Sequence, residues 1–170
     1  MNLIHTQYYP TVFGELLLGS LNGQLCLCDW RYRKARESVD RRLQTRLNAR
    51  YVEKPDKVTD QAITQLEEYF SQQRKVFELP LLLAGTDFQK AVWEQLQQIP
   101  FGQTASYLQL AERMHNPKAV RAVASANGAN ALSIFVPCHR IVGSNGELVG
   151  YAGGLEAKRK LLGLEQDLFA

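Results

Sequence analysis

The segment Pro137-Cys138-His139-Arg140 places a thiol, an imidazole and a guanidinium side by side. A cysteine becomes a nucleophile when a nearby base, cation or helix N-terminus favours its thiolate. His139 supplies a base and Arg140 a cation, and Pro137 fits a helix that starts here and aims free amides at the sulfur. A cysteine beside a histidine is also common as a purely structural pair. The four residues alone therefore leave a catalytic and a structural interpretation open.

Two further cysteines, Cys26 and Cys28, make the total an odd number, three. They lack the spacing of a disulfide framework, so we expect reduced thiols, and both fit a β-strand. A Cys-x-Cys pair is by itself a weak metal signal. The sequence thus predicts no metal site and no cofactor.

Composition sets broad limits on the class of protein. A chain of 170 residues with 45% hydrophobic content can bury a core, as one domain or as two small ones. Its apolar runs, such as residues 79–84, are too short to cross a bilayer, and its first residues lack a signal-sequence pattern. These features predict a cytoplasmic protein without membrane contact. The net charge of +3 does not by itself indicate a nucleic-acid partner.

Residues 31–50 form a basic run of eight Arg or Lys against Glu37 and Asp40, a local excess of 8 − 2 = +6. Such runs usually form a solvated face or loop, which is the interpretation that the sequence favours. Contact with DNA or with a neighbouring protein molecule stays open as an alternative.

The first half of the chain has the pattern of a sheet with a helix packed on it. Apolar runs at residues 16–18 and 24–30 flank Asn22-Gly23, a dipeptide that favours a tight hairpin turn. Between Thr59 and Ser71 the apolar residues fall on one helical face, with Thr59 or Asp60 available as the cap.

A break at residues 83–85 predicts a boundary between an N-terminal α/β domain, 1–85, and a mostly helical C-terminal domain, 86–170. The predicted fold class is α+β. In the second domain Thr86 and Ser106 each cap a helix, and Pro117 restarts a third that runs to about Asn127. The expected buried positions of the first two helices are Phe88, Val92, Leu96, Ile99, Leu108, Ala111 and Met114. The last two helices suggest a helix-turn-helix, with an ordinary helical hairpin as the alternative.

The helix after Pro117 is unusual because small residues, Ala122 among them, surround a single cation, Arg121. Base-reading helices need long polar side chains, whereas small residues let a helix press close to a backbone or a narrow groove. The pattern favours sequence-independent DNA contact, in which Arg121 could enter the base stack. A lone arginine on a helix is also commonly a solvated charge.

Residues 135–142 read FVPCHRIV and are similar to the active-site signature of the O6-alkylguanine-DNA alkyltransferases. The similarity covers roughly the second half of the chain, and the first half fits the family's variable N-terminal α/β domain only through its hairpin. The other matching positions are 86–89, 92–93, 99–100, 102, 104, 106–107, 110–111, 121–123, 130, 150–154, 158, 161–162 and 165. One departure is Ala131, where many relatives have proline.

This resemblance implies roles for the residues around the thiol. Cys138 would be the alkyl acceptor, His139 would take its proton through a bridging water, and Glu165 would orient the imidazole. Asn130 would tie the recognition helix to the active-site segment. The substrate pocket would be formed by Tyr107, Asn130, Ile141, Tyr151, Ala152 and Gly153.

The resemblance also implies the partner, double-stranded DNA that carries O6-alkylguanine and is held through its minor groove. The target base must leave the stack before a cysteine can reach its alkyl carbon. Arg121, beside Ala122 on the DNA-binding helix, would fill the space, and Tyr107 would rotate the 3′ phosphate while its hydroxyl serves guanine N3. The protein is expected to be monomeric.

A thioether has no good leaving group, so each molecule should act once. The main alternative is a non-catalytic protein that binds alkylated DNA and recruits other repair factors, although relatives of that kind lack the cysteine. A cysteine hydrolase is disfavoured because no glycine cluster for an oxyanion hole accompanies Cys138.

Overall fold

The computed structural model describes residues 1–166, which divide into two units, Met1–Gly85 and one that begins at Thr86. The first combines a sheet with two helices and the second is mostly helical. The predicted α+β fold class is confirmed. No helix within residues 1–166 is long and apolar enough to cross a membrane.

A four-stranded sheet forms the centre of the first unit. Its strands are β1 (Asn2–Thr11), β2 (Gly14–Leu21), β3 (Gln24–Trp30) and β4 (Ala49–Glu53), in the order β3-β2-β1-β4. The β1–β2 and β2–β3 pairs are antiparallel, and β1–β4 is parallel. The predicted hairpin is confirmed, because Asn22 and Gly23 join β2 to β3 with φ values of 51° and 81°. Both are positive, as a tight hairpin turn requires.

Two helices belong to this unit, α1 (Arg36–Arg46) and α2 (Lys57–Phe70). Helix α2 packs against β1, β2 and β3, which confirms the predicted helix on the sheet. The predicted caps were wrong: Asp56 caps α2, and Thr59 lies inside the first turn, where it completes the capping box. The sequence analysis did not predict α1, which lies within the basic run.

The second unit begins with α3 (Asp87–Leu96), β5 (Ala105–Ser106) and α4 (Tyr107–Arg113). A three-residue 3-10 turn at Pro117–Ala119 leads into α5 (Val120–Gly128), and β6 (Ile141–Val142) and α6 (Leu155–Glu165) follow. The predicted caps Thr86 and Ser106 are confirmed, each in a capping box with the glutamine three residues later.

The buried faces differ from the prediction at three positions. Phe88 is 36% exposed, Leu108 is 41% exposed and Met114 is only half-buried, so none of the three belongs to the core. Trp93 and Leu110 are buried instead, and the Trp93 indole donates a 2.8 Å hydrogen bond to the Ala126 carbonyl. That bond joins α3 to α5, and α4 also packs against α5. Helix α5 is thus held in the second unit by contacts with both α3 and α4.

Candidate active site around Cys138

Cys138 begins a short 3-10 turn, Cys138–Arg140, between a loop and strand β6. A helical segment does begin at this point, as predicted, but it is only a three-residue 3-10 turn, because the chain then enters β6 and pairs with β5. The Cys138 amide donates to the Val136 carbonyl at 2.8 Å and is not free to face the sulfur. The thiol is 3% exposed, so its surroundings are set by protein groups.

Asn130, which is 3% exposed, fixes the loop that carries Cys138. Its side-chain nitrogen donates to the Val136 carbonyl at 2.9 Å and lies 3.2 Å from the Cys138 sulfur, and its oxygen accepts from the Leu132 amide at 2.9 Å. The Asn130 side chain thus crosslinks two points of the loop, Leu132 and Val136. A hydrogen bond donated to sulfur stabilises negative charge there.

His139 is completely buried and faces Glu165, with its Nε2 2.7 Å from a carboxylate oxygen. Its other nitrogen, Nδ1, has no hydrogen-bond partner within residues 1–166. Burial lowers the pKa of His139, and the cations Arg140 and Lys158 lower it further, although Glu165 opposes this shift. The imidazole is therefore neutral near pH 7. Because an ionised carboxylate only accepts hydrogen bonds, Nε2 carries the proton and Nδ1 presents a lone pair.

Arg140 binds the same carboxylate as His139. Its Nε donates to one carboxylate oxygen at 2.8 Å, its Nη2 to the other at 3.0 Å, and its Nη1 to the Ile99 carbonyl at 2.6 Å. Burial alone would raise the pKa of Glu165, but hydrogen bonds from His139 and Arg140 outweigh it and hold the pKa at about 2. Glu165 is thus an ionised carboxylate fixed between two donors.

The sequence analysis gave Arg140 only a general role as a nearby cation. Its partner Glu165 lies 25 residues further along the chain, so spacing within the tetrapeptide could not identify the pair. The signal available in the sequence was the charge of the two residues. If the arginine next to a reactive thiol is buried, it needs a carboxylate partner, and Glu165 was already a candidate for the site.

Lys158 on α6 is fully buried, and its Nζ donates to the Val149 carbonyl at 2.9 Å. Burial lowers the pKa of Lys158 to about 8, while negative charge on Cys138 would raise it. The sequence analysis noted this residue as part of the resemblance but gave it no role. Lys158 and Glu165 are seven residues apart on α6, a spacing that places both on one helix face and could have linked them.

The other predicted pocket residues lie at different depths. Tyr107 begins α4 and is half-buried; burial and negative charge on Cys138 raise its pKa, whereas a hydrogen bond with Asn127 lowers it. The half-buried Tyr151 ring stands edge-on to the His139 ring, with 6.4 Å between centroids. Ile141 is buried in β6. Ala152 and Gly153 follow Tyr151 and are half-buried.

The two predicted DNA-contacting residues lie together near the start of α5. Arg121 and Ala122 are both exposed, whereas Val123, Ala126 and Asn127 form the buried face of the helix. Arg121 makes no ion pair within residues 1–166. The exposed face therefore combines short side chains with one uncompensated cation.

The thiols of β3 lie in a different environment. Cys26 and Cys28 are buried, and burial raises the pKa of Cys26 to about 12 and that of Cys28 as well. Within residues 1–166 no group of three His, Cys, Asp or Glu side chains is placed to hold a metal ion. The absence of a bound metal stays a prediction.

Comparison with known proteins gives matches over nearly the whole chain. Residues 4–83 match the family described as "6-O-methylguanine DNA methyltransferase, ribonuclease-like domain", and residues 87–167 match "6-O-methylguanine DNA methyltransferase, DNA binding domain". A curated relative from Methanosarcina mazei, a methylated-DNA–protein-cysteine methyltransferase, is 52% identical over 103 residues. That match covers 61% of this chain and 65% of the relative, which is slightly less than two thirds of its length.

Solved structures match over a larger share of the chain. The O6-methylguanine methyltransferase of Mycobacterium tuberculosis has a TM-score of 0.80 and 36% identity, covering 96% of this chain and 93% of that one. M. tuberculosis OGT in complex with DNA has a TM-score of 0.78 and 35% identity, covering 96% and 92%. These matches confirm the resemblance predicted from the sequence. The chain belongs to the 6-O-methylguanine DNA methyltransferase family.

Proposed function

We propose that this protein repairs DNA by moving the alkyl group of an O6-alkylguanine onto the sulfur of its own Cys138, once per molecule. The observation that carries the proposal is the state of His139. Its Nε2 is held by Glu165, while its Nδ1 is buried without a hydrogen-bond partner within residues 1–166. This nitrogen is the proton acceptor that a cysteine nucleophile requires.

The proton step uses the neutral form of His139. In our proposal Nδ1 takes the thiol proton through a bridging water, and the resulting imidazolium is stabilised by ionised Glu165. Arg140 holds the carboxylate in place with two hydrogen bonds, so Glu165 does not turn away as the imidazole becomes charged. Asn130 donates to the sulfur and stabilises the thiolate that forms.

The transfer step forms a bond between the Cys138 sulfur and the alkyl carbon and breaks the bond from that carbon to guanine O6. The electron pair of the broken bond leaves with the base, which then needs a proton. Tyr107 is the proposed donor, through its hydroxyl at guanine N3. Burial and negative charge on Cys138 raise the pKa of Tyr107, so its hydroxyl keeps its proton until the bond to guanine O6 breaks.

DNA binding is assigned to α5. Its exposed face offers Arg121 and small residues such as Ala122, a surface suited to the minor groove of duplex DNA. Flipping a base costs a few kcal/mol. Arg121 would offset part of that cost by filling the space in the stack. Ile141, Tyr151, Ala152 and Gly153 would then surround the flipped base.

This chemistry needs only side chains of the protein itself, so the proposal includes no cofactor and no metal. We further propose that the protein acts as a monomer in the cytoplasm. A non-catalytic protein that only binds alkylated DNA is the rival, and the experiment below separates the two.

The test is titration with duplex DNA that contains one O6-methylguanine carrying a labelled methyl group. We expect transfer of about one methyl per molecule to the wild type and none to Cys138→Ala. Cys26→Ala is the matched control, because it removes a different buried thiol, and it should still accept the methyl. Peptide mapping should place the label on Cys138. DNA binding without any transfer would favour the non-catalytic rival.

A further inference from the structure

Helix α1 carries an unassigned basic face in the first unit. Ser38, Arg41, Arg42, Thr45 and Arg46 follow the spacing i, i+3, i+4, i+7 and i+8, which places them on one side of the helix. All but the half-buried Arg42 are exposed, and Val39 and Leu43 are buried. We call these five residues the α1 basic face. It holds three guanidinium groups, two hydroxyl groups and no carboxylate.

The charges of the surrounding basic run divide into two groups. Arg33 and Arg36 are ion-paired with the fully buried Asp29, and Arg36 also with Asp40. These cations compensate the charge of a buried carboxylate. By contrast, Arg41 and Arg46 make no ion pair within residues 1–166. The solvated-run interpretation therefore fits only part of the segment, and positive charge accumulates on the α1 basic face.

Arg42 lies among other cations. Burial lowers the pKa of Arg42, and the cations Arg33 and Arg46 lower it further, although Asp29 and Tyr51 act in the opposite direction. A protein gains nothing in stability from such crowding, because every added cation raises the repulsion. An anionic partner would remove that repulsion.

The shape of the face suits a phosphate. A depression of about 410 Å³ is lined by the same five residues. Arginine binds phosphate oxygens through paired N–H donors, and serine and threonine hydroxyls are common further contacts to a nucleic-acid backbone. Arg41 and Arg46 are about 7.5 Å apart along the helix axis, and phosphates of one strand are spaced about 3.4 Å along the duplex axis. Two guanidinium groups can thus reach different phosphates.

We propose that the α1 basic face binds the phosphate backbone of duplex DNA without reading its bases. This proposal rests on the proposed function, which makes DNA the partner of the protein. It adds a second DNA-contacting surface at a place in the sequence far from α5. A protein partner fits the face less well, because stable protein interfaces have an apolar core and the face exposes no large apolar side chain.

The test is the salt dependence of binding to a short duplex without any alkylated base. The variant is Arg41→Gln/Arg46→Gln, in which glutamine keeps a good helix propensity and removes both unpaired charges. The matched control is Lys54→Gln/Lys57→Gln, which removes two exposed cations elsewhere in the same unit. Circular dichroism and urea unfolding establish that both variants are folded.

Each phosphate contact contributes about 0.9 to the slope of log K against log salt concentration. We expect the slope to become about 1.8 shallower in Arg41→Gln/Arg46→Gln and to stay at the wild-type value in the control. Between about 50 and 200 mM salt the wild type would then lose about 12-fold more affinity than the variant. An unchanged slope overturns the proposal. So does an equal change in the control, which would reflect net charge alone.

Two further outcomes separate this proposal from others. If Arg41→Gln/Arg46→Gln keeps the wild-type slope but shifts the sedimentation of the protein at high concentration, the face contacts a second copy and the DNA proposal is wrong. If the slope falls as expected but the wild type transfers no methyl from O6-methylguanine, the α1 basic face stands and the proposed function fails.

Discussion

Replacement of Glu165 by glutamine tests the proton relay directly. Glutamine has the same shape but offers an NH₂ group where the carboxylate accepts hydrogen bonds. One oxygen of Glu165 accepts from His139 Nε2 and Arg140 Nη2, and the other accepts from Arg140 Nε. Glutamine has only one acceptor oxygen. If that oxygen faces His139, the NH₂ group faces Arg140 Nε, and the negative charge that stabilises the imidazolium is lost. If the NH₂ group faces His139 instead, Nε2 must accept its hydrogen bond, which moves the imidazole proton to Nδ1. The nitrogen that should take the thiol proton is then blocked.

The size of both effects follows from the site. Burial raises the pKa of Glu165, but His139 and Arg140 hold it at about 2 against the usual 4.5, which corresponds to about 3 kcal/mol in favour of the ionised form. Removal of one partner from a buried ion pair costs about 3–5 kcal/mol, which agrees. In a serine-protease triad the corresponding loss of the correct tautomer lowers the rate by about 10⁴. For Glu165→Gln we expect transfer about 10²–10⁴ times slower and an unfolding free energy lower by about 3 kcal/mol.

The assay is single-turnover methyl transfer at saturating protein, beside urea unfolding at the same temperature and pH. Glu156→Gln is the control, because Glu156 is exposed on the same helix and its ion pairs are on the surface. It should change the unfolding free energy by less than about 0.5 kcal/mol and leave the rate unchanged. If Glu165→Gln loses stability but transfers methyl within twofold of the wild type, the relay is wrong and Glu165 is only structural.

Three further predictions concern neighbouring groups. Asn130→Ala removes bonds to the Leu132 amide, the Val136 carbonyl and the Cys138 sulfur, so urea unfolding should give a free energy lower by about 2–4 kcal/mol, and no change would contradict the crosslink. Methylation of Cys138 adds a carbon beside the Asn130 donor and weakens that bond, so differential scanning calorimetry should give a lower Tm after reaction than before. Burial lowers the pKa of Lys158 to about 8 from 10.5, so at this residue the unfolded chain binds more protons between these values, and its contribution to stability should rise with pH across that window. The buried thiols Cys26 and Cys28, whose pKa values are raised, act in the opposite direction in both proteins, so the test is the difference between them. The free energy of unfolding of the wild type minus that of Lys158→Met should increase by at most about 3 kcal/mol between pH 8 and pH 10.5 in urea unfolding, and an unchanged difference would refute the assignment.

Most features set by neighbouring residues in the chain were predicted correctly, with the cap of α2, Asp56, as the exception. Asn22-Gly23 adopts the positive φ values of its turn, and Thr86 and Ser106 cap helices through the glutamine three residues later. In each case the interaction spans at most four residues. Local sequence contains all the information that such a feature needs.

Features that depend on distant partners were not predicted. Helix α1 buries only Val39 and Leu43, too few apolar positions to stand out in a basic run, and its Arg36 is anchored by Asp29 of β3. The exposure of Phe88 also depends on a distant element. Helical spacing predicts which residues share a face of α3, but which face is buried depends on how α3 packs against α5.

The candidate site contains some residues that the sequence identified and some contacts that it did not. Family resemblance identified Cys138, His139 and Glu165 as candidates, and their roles stay predictions until transfer is measured. The bidentate clamp of Arg140 on Glu165 was missed, because it links residues 25 positions apart. The helix expected at Cys138 is only a three-residue 3-10 turn, because the next residues form β6 and pair with β5.

The cluster of charged and titratable groups under Cys138 is not explained by stability. His139, Arg140, Lys158 and Glu165 are all buried, and desolvation of such groups is often not repaid by their mutual attraction. Apolar residues of similar volume would give a fold of equal or greater stability. The arrangement makes sense as chemistry, because it keeps a carboxylate ionised and the imidazole of His139 neutral, and it leaves His139 Nδ1 without a hydrogen-bond partner within residues 1–166. In the proposed function the protein reacts once and needs this arrangement only until the sulfur is alkylated, so a loss of stability after the reaction would carry no cost to that function.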